Sequence, residues 1–301
     1  MDQAAWRIAL KSDDVSSVRQ RLDADPEATG GYLAVERDWG EELWLPLHVA
    51  VEVGGAGAAE VVALLLERGA KADARTRFRT PMHARATALH LASQRIDPAL
   101  VAMLLHAGAD ADAMDARGDT PLHRLLTAAA GRLLEGADED VTKAVRTCFS
   151  LLLESGADPT LRNTEGRPPW HAFLATLKTP TALLNASQTV NVSGVENSGD
   201  SATDLRLAAD LLGTCGDLHR TGKTTDIWTQ TCPREPGGFS LLHRCVMLRE
   251  TPGGAVALAR TLVGEGSDPH AAPPGGRSAL ELAQDAGADG LVAAMTAATS
   301  T

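Results

Sequence analysis

The sequence predicts an all-α fold, a solenoid of about seven helix–turn–helix units that form a single domain over residues 1–301. Two similar segments step by 33 residues, from His90 to His123. Hydrophobic residues make up 44% of the chain and aromatic residues only 3%, so Leu, Val and Ala must supply most of the core. Such small aliphatic side chains let helices pack closely, which favours an all-helical architecture.

One unit of the repeat is especially clear. It starts with TALHLA at residues 87–92, continues with Val101 and the pair Leu104-Leu105, and closes with GAD at residues 108–110. The next unit has TPLH at residues 120–123, a Leu-Leu pair at 152–153 and GAD at 156–158. Several positions therefore recur in a fixed register, which is the sequence signature of a repeat architecture.

These segments resemble the ankyrin repeat, whose hallmark is T-P-L-H-x-A, then V-x-x-L-L, then G-A-D. The resemblance covers nearly the whole chain, with weaker copies in the same frame. The first unit is degenerate, as expected of an end repeat that exchanges core positions for solvent-facing ones. The units are placed at roughly 1–26, 43–75, 85–114, 118–162, 166–218, 238–271 and 276–299.

The repeated residues have consistent physical roles. Thr at the start of a unit caps the first helix, and Pro suits the first helical turn, where its missing N–H costs nothing. Gly after the second helix permits a left-handed stop. The histidine of each unit most often hydrogen-bonds locally. A structural role is therefore predicted for the motif histidines, which are His48, His90, His123, His171 and His243.

The spacing between units departs from the family pattern in several places. Here a finger is the loop that joins one unit to the next. Three fingers are long, at 24–44, 72–86 and 217–239. Two further loop insertions, 127–143 and 178–203, fall between the two helices of a unit, and the polar stretch 185–203 is expected to be a mobile surface loop. Long irregular loops in compact domains are usually functional or disordered, and the resemblance implies that fingers edge the binding groove.

Composition limits the classes of partner. The net charge of −11 argues against non-specific nucleic-acid binding and against docking on anionic membranes. No stretch approaches 18 uninterrupted apolar residues, Met1 to Asp14 does not read as a signal peptide, and the four cysteines contain no CxxC pair. We expect a monomeric cytoplasmic protein that has no cofactor.

The resemblance implies which positions face the groove, and the first two fingers add further candidates. The first finger carries three aromatic residues among acidic ones, whereas the second is rich in arginine. Aromatic and arginine side chains dominate binding hot spots. The candidate partner- or ligand-binding residues are Tyr32, Trp39, Trp44, Glu52, Arg75, Arg77, Phe78, Arg79, His83, Gln94, Arg95, Asp119, Arg167, Trp228 and Phe239.

These residues predict a protein–protein interaction scaffold that binds a partner on its concave face, formed by the fingers and inner helices. One alternative is a small-molecule-binding or catalytic groove under the long fingers, where arginines hold a small anionic ligand. No catalytic residue is assigned, because no ordered triad is visible. Another alternative is that the acidic first finger simply pairs with the basic second one. Cys215, His219, Cys232, His243 and Cys245 have zinc-ligand chemistry, but their spacing is irregular, so no metal is expected.

Overall fold

The computed structural model shows a mostly helical chain, as expected of an all-α repeat protein. Fourteen α-helices and one two-stranded hairpin lie in the part of the chain that the structure describes. The described residues are 3–37, 40–53, 55, 57–77, 85–134, 136, 138–177, 201–220, 227, 239–248 and 252–297.

Contacts divide the chain into two compact units. The first comprises Met1–Leu125 and Thr147–Ala157, and the second comprises Leu126–Arg146 and Asp158–Thr301. The early elements are α1 (Gln3–Lys11), α2 (Val15–Ala24), a 3-10 turn (Pro26–Thr29), β1 (Leu33–Arg37), β2 (Gly40–Trp44), α3 (Pro46–Val53), α4 (Ala58–Glu67), α5 (Ala88–Arg95) and α6 (Pro98–His106). The later elements are α7 (Pro121–Leu134), α8 (Glu139–Glu154), α9 (Pro169–Leu177), α10 (Ser201–Arg220), α11 (Leu241–Met247), α12 (Pro252–Gly264), α13 (Ala279–Asp285) and α14 (Asp289–Ala297).

Within each unit, equivalent helices pack on one another. In the first unit α3 lies against both α1 and α5, while α4 lies against both α2 and α6. In the second unit α11 lies against α9 and α13, and α12 lies against α10 and α14. Sequence neighbours also pack on each other in the pairs α1–α2, α3–α4, α5–α6, α11–α12 and α13–α14. The apolar faces that the repeated leucines create are thus buried between helices.

The core uses the leucines that the repeat pattern selects. Leu65, Leu104 and Leu152, all in Leu-Leu slots, have no exposed surface. Leu47 and Leu89, in the first helices of their repeats, are also buried. The repeat register therefore assigns the inward faces of these helices correctly.

The prediction of a loop at 127–143 is wrong. The extra residues lengthen two helices instead, because α7 continues to Leu134 and α8 begins at Glu139. Ala, Leu and Arg, which are strong helix formers, dominate the stretch after Thr127. Asp138 then caps α8, since its carboxylate accepts a hydrogen bond of 2.9 Å from the Val141 N–H.

The other predicted insertions lie largely outside the described residues. Residues 178–200 are outside, and Ser201 begins α10. The third finger, 217–239, is described at the end of α10, at Ile227 and at Phe239. Within the described ranges, no helix is both long enough and apolar enough to cross a lipid bilayer.

Candidate protein-interaction surface

Buried histidines hold the fingers in place. The Thr87 N–H donates to His90 Nδ1 at 3.1 Å, which makes Nδ1 an acceptor and leaves the Nε2–H to donate to the Asp119 carbonyl at 2.9 Å. Burial lowers the pKa of His90 to about 4, so its ring is neutral near pH 7. A structural role is confirmed for the motif histidines whose Nε2 bonds a finger carbonyl: His48 to Ala74, His90 to Asp119, His171 to Phe239 and His243 to Arg277.

The first finger is a β-hairpin whose two faces differ. β1 and β2 are antiparallel, with Leu33 opposite Trp44 and Ala34 opposite Leu43. Leu33 and Trp44 are buried, whereas Leu43 is 39% exposed. This alternation follows from the period of two along a strand. The outer face of the hairpin therefore presents Leu43 to solvent.

Trp44 is a core residue. It was expected to point its indole into a groove, but its side chain is fully buried and meets the His48 ring edge-on at 6.4 Å between centroids. The reason is strand pleating: if Leu43 faces out, its neighbour must face in. Trp44 consequently anchors the hairpin on α3.

Arg77 joins the second finger to the hairpin. Its backbone exchanges two hydrogen bonds with Leu43, of 3.1 and 3.2 Å, and so forms an antiparallel bridge. Its guanidinium carbon lies 4.4 Å from the centroid of the Tyr32 ring, within the range of a cation–π interaction. The Tyr32 hydroxyl in turn donates to the Arg75 carbonyl at 3.2 Å. Three residues that were predicted to bind a partner are thus in direct contact.

Arg75 extends this cluster towards the next finger. Its Nη1 donates to the Arg85 carbonyl at 3.1 Å and to the Met114 carbonyl. Met114 is 37% exposed, and Arg85 is exposed too. We define the finger patch as this contiguous set: Tyr32, Leu43, Arg75, Arg77, Arg85 and Met114.

The candidate residues on the inner helices form a separate polar network. The Arg95 guanidinium donates to the Glu52 carbonyl at 2.8 Å, and the Gln94 side-chain oxygen accepts from Arg124 at 3.1 Å. Arg124 also bonds the buried Asp115 carboxylate through Nε at 3.1 Å and through Nη2. Glu52, Gln94 and Arg95 are half-buried, so each keeps part of its surface accessible.

Asp119 has a largely structural place. It is only 5% exposed, and its N–H donates to the Asp115 carboxylate at 3.0 Å. Its own carboxylate lies 3.4 Å from the Arg117 guanidinium. Since its carbonyl also receives the His90 bond, Asp119 shapes the finger more than it offers a free side chain.

Arg167 and Phe239 belong to the second unit and make local contacts there. Arg167 pairs with Glu165 at 2.7 Å; its carbonyl accepts from the Asn163 N–H, and its N–H donates to the Asn163 side-chain oxygen, both at 3.1 Å. The Phe239 ring stacks on His243 with 5.1 Å between centroids. The remaining candidates, Trp39, Phe78, Arg79, His83 and Trp228, lie outside the described residues.

Sequence reasoning missed Leu43, Arg85 and Met114 as site residues. The strand alternation around Trp44 contained the signal for Leu43, because only one of two neighbours can face inward. Arg85 lies in the arginine-rich second finger, so the sequence did indicate a positive charge at this position. Met114 gave a weaker signal, as a large apolar residue in a short polar finger between Asp110 and Thr120.

Cys215, Cys245 and His243, the described members of the Cys/His set near residues 215–245, are engaged in packing and local hydrogen bonds. Cys215 and Cys245 are buried, and burial raises the pKa of the Cys245 thiol. His243 Nδ1 lies 2.7 Å from the Ser240 hydroxyl, and its Nε2 bonds a carbonyl. The side chains of His219 and Cys232 are outside the described part of the chain. Among the side chains that are described, no three His, Cys, Asp or Glu residues gather as metal ligands do.

A cavity of about 350 Å³ lies in the second unit. Its walls are Val256 on α12 and residues 286–291, at the turn between α13 and α14. The small-molecule alternative expected a pocket beneath the first two fingers, and no residue of those fingers lines this cavity. It offers that alternative no support.

Paired short helices, packed on equivalent helices and joined by histidine-anchored fingers, define a helical repeat protein. An ankyrin-repeat family model matches residues 43–77, so the chain contains an ankyrin repeat there, as the sequence resemblance implied. An E3 ubiquitin-protein ligase of Arabidopsis thaliana, KEG, is 28% identical over 176 residues. Those residues are 58% of this chain and 9% of the relative, so the chain spans a small part of that protein. The ankyrin repeat is in general a protein-interaction module.

Proposed function

We propose that this chain is an interaction scaffold, and that a protein partner binds the finger patch together with the neighbouring inner-helix residues Glu52, Gln94 and Arg95. The composition of the patch carries the proposal. It contains three arginines, one tyrosine, one methionine and one leucine, with no acidic residue and no lysine. Protein interfaces are enriched in Tyr, Met and Arg and depleted in Lys, Glu and Asp.

Preorganisation of the patch supports the same conclusion. Arg77 is tied to the hairpin through its backbone, Tyr32 to Arg75 through a hydroxyl, and Arg75 to two carbonyls. Side chains held in place before binding lose less conformational entropy when a partner arrives. A rigid aromatic and arginine cluster is therefore suited to act as a binding hot spot.

The exposure of the patch favours a macromolecular partner over a small molecule. Leu43 and Met114 are 39% and 37% exposed, and Arg77 and Arg85 are exposed as well. Small-molecule sites usually enclose most of the ligand surface. An open patch instead suits an extended surface supplied by another protein.

Site-specific photo-crosslinking in host cells tests this function. Met114→p-benzoylphenylalanine should yield a discrete cross-linked product, which disappears when Arg77→Ala is added. The matched probe replaces Arg19, an exposed arginine of the same unit on α2 and outside the patch. Equal products from both probes would place binding elsewhere.

Thermal unfolding of Arg77→Ala separates binding from folding. The Arg77 side chain is exposed, so its truncation should leave the melting temperature within about 2 °C of that of the parent, as is usual for surface substitutions. A large loss of stability would support the alternative in which the second finger pairs structurally with the acidic hairpin.

A further inference from the structure

We propose that the element recognised by the finger patch is an acidic peptide segment of the partner that also carries an aliphatic or aromatic side chain. Its carboxylates pair with Arg77 and Arg85, and its apolar side chain packs against Leu43 or Met114. This inference rests on the proposed function and specifies the chemistry of the partner.

Exposed arginines are the main reason. Arg77 and Arg85 are exposed, and no ion pair joins Arg75, Arg77 or Arg85 to a carboxylate among the side chains that the structure describes, which do not include those of Glu36, Glu41 and Glu42. Seven other arginines do have such partners: Arg21, Arg68, Arg117, Arg124, Arg146, Arg167 and Arg277. The chain has 39 acidic residues and a net charge of −11, and among the described side chains none of these acids pairs with the three arginines of the patch.

The local charge is strongly positive. Residues 75–95 contain five arginines and no aspartate or glutamate. The net charge of this segment is therefore opposite in sign to that of the whole chain. Complementary potentials steer association and suppress wrong partners, so an acidic segment is selected over a basic one.

The contact of Arg77 with the Tyr32 ring is compatible with carboxylate binding at its N–H groups. A guanidinium that lies over an aromatic ring uses its face in the cation–π contact. Its N–H groups lie in the plane of the guanidinium, where they match the two oxygens of a carboxylate. Tyr32 thus orients Arg77 for a bidentate carboxylate and does not compete for it.

The apolar members of the patch define the rest of the ligand. Leu43 contacts Arg77 through the backbone bridge, and the Met114 carbonyl is bound by Arg75. Two exposed apolar residues therefore neighbour the arginines in the patch. A segment of carboxylates alone would leave Leu43 and Met114 uncovered, so a mixed acidic and apolar segment fits better.

Selection from a random 12-residue peptide library displayed on phage, against the full chain, tests the inference. Enriched peptides should contain Asp or Glu beside a large apolar residue. The best synthetic peptide should bind at least about tenfold more weakly to Arg77→Ala, whereas Arg19→Ala should bind it normally. Raising the salt concentration from 50 to 300 mM should weaken its binding, because exposed ion pairs are screened.

Charge exchange provides the stricter test. Arg77→Glu should lose the acidic peptide and gain a version in which Lys replaces the acidic residue that contacts position 77. Enrichment of neutral or basic peptides that still require Met114 would overturn the acidic-segment inference and leave the proposed function standing. If no peptide is enriched and position 114 yields no cross-linked product, both the acidic-segment inference and the proposed function would be contradicted. A single-stranded oligonucleotide that displaces the peptide at equal concentration would instead identify the patch as a nucleic-acid site and overturn the inference.

Discussion

The residue three positions before each motif histidine determines whether the histidine Nδ1 atom has a hydrogen-bond partner. Hydroxyl side chains occupy this position before three of the histidines, as Thr87, Thr120 and Ser240. Leu45 and Pro168 occupy it before His48 and His171, whose Nδ1 atoms lack a hydrogen-bond partner among the described residues. Burying an unsatisfied acceptor costs free energy, so the repeats differ in local stability although they share a histidine.

Removal of one of these hydroxyls should measure this effect. Thr87→Val keeps the side-chain shape but deletes the Oγ1 atom that lies 2.8 Å from His90 Nδ1. We expect the free energy of unfolding to fall by about 1–2 kcal/mol, as for the loss of a helix cap. Urea denaturation checks this, with Thr127→Val at an exposed position of α7 as the control. Equal midpoints for both variants would show that the hydroxyl contributes nothing.

The role of a residue was predictable from the sequence where that role depends on one contact within the repeat pattern. The motif histidines followed from the repeat pattern, because their partners lie at fixed positions of the same pattern. The orientation of Trp44 was not predictable in this way. It depends on strand pleating in a long finger, and the family pattern supplies no register for such an insertion.

At the scale of elements, extra residues inserted between the two helices of a repeat can extend those helices instead of forming a loop. α7 and α8 absorb most of residues 127–143, which were expected to form a loop. The repeat pattern fixes where a unit starts and ends, but the boundary between helix and loop inside it depends on propensity and capping. Here the Ala-rich stretch after Thr127 extends α7, and the cap at Asp138 sets the start of α8.

The buried leucines of the second helices should be the main contributors to element packing. Leu104→Ala on α6 and Leu152→Ala on α8 each remove a fully buried side chain, so we expect a loss of about 2–5 kcal/mol in the free energy of unfolding. Guanidinium denaturation monitored by circular dichroism checks both. Leu43→Ala, at an exposed leucine of the hairpin, should cost far less. A parent-like midpoint for Leu104→Ala would mean that the repeat register is misassigned.

At the scale of the whole molecule, buried neutral histidines make stability depend on pH. Burial lowers the pKa values of His48, His90 and His171 from 6.5 to about 4. Above pH 6.5 these rings are neutral in both the folded and the unfolded chain. As the pH falls from 6.5 towards 4, the unfolded chain binds protons that the folded chain excludes, so stability is lost.

The midpoint of urea unfolding should therefore fall steadily between pH 7 and pH 4.5. The lowered pKa values of Asp14 and Glu281 act below this window, since their ordinary values are 3.8 and 4.5. His90→Gln should reduce the pH slope, whereas His106→Gln, at an exposed histidine, should not. A slope that His90→Gln leaves unchanged would contradict the assignment.

The overall helical class was predictable because a periodic pattern repeats along the chain and each copy reinforces the others. The interaction surface was predictable only in part. Tyr32, Arg75 and Arg77 were recognisable by residue type, and they do meet. Leu43 and Met114 join them through contacts between fingers, which depend on how consecutive repeats align and not on any local pattern.

The backbone at Arg85 connects stability to recognition. Its φ of 62° is in the left-handed region, which glycine adopts without the steric cost that a side chain incurs. A charged, exposed side chain therefore occupies a backbone conformation that favours glycine. Arg85→Gly should raise the free energy of unfolding by up to about 1 kcal/mol and weaken acidic-peptide binding at the same time. A variant that melts at a higher temperature and binds the peptide more weakly would show that the Arg85 side chain contributes to binding at a cost in stability. Unchanged binding would assign Arg85 to the fold alone.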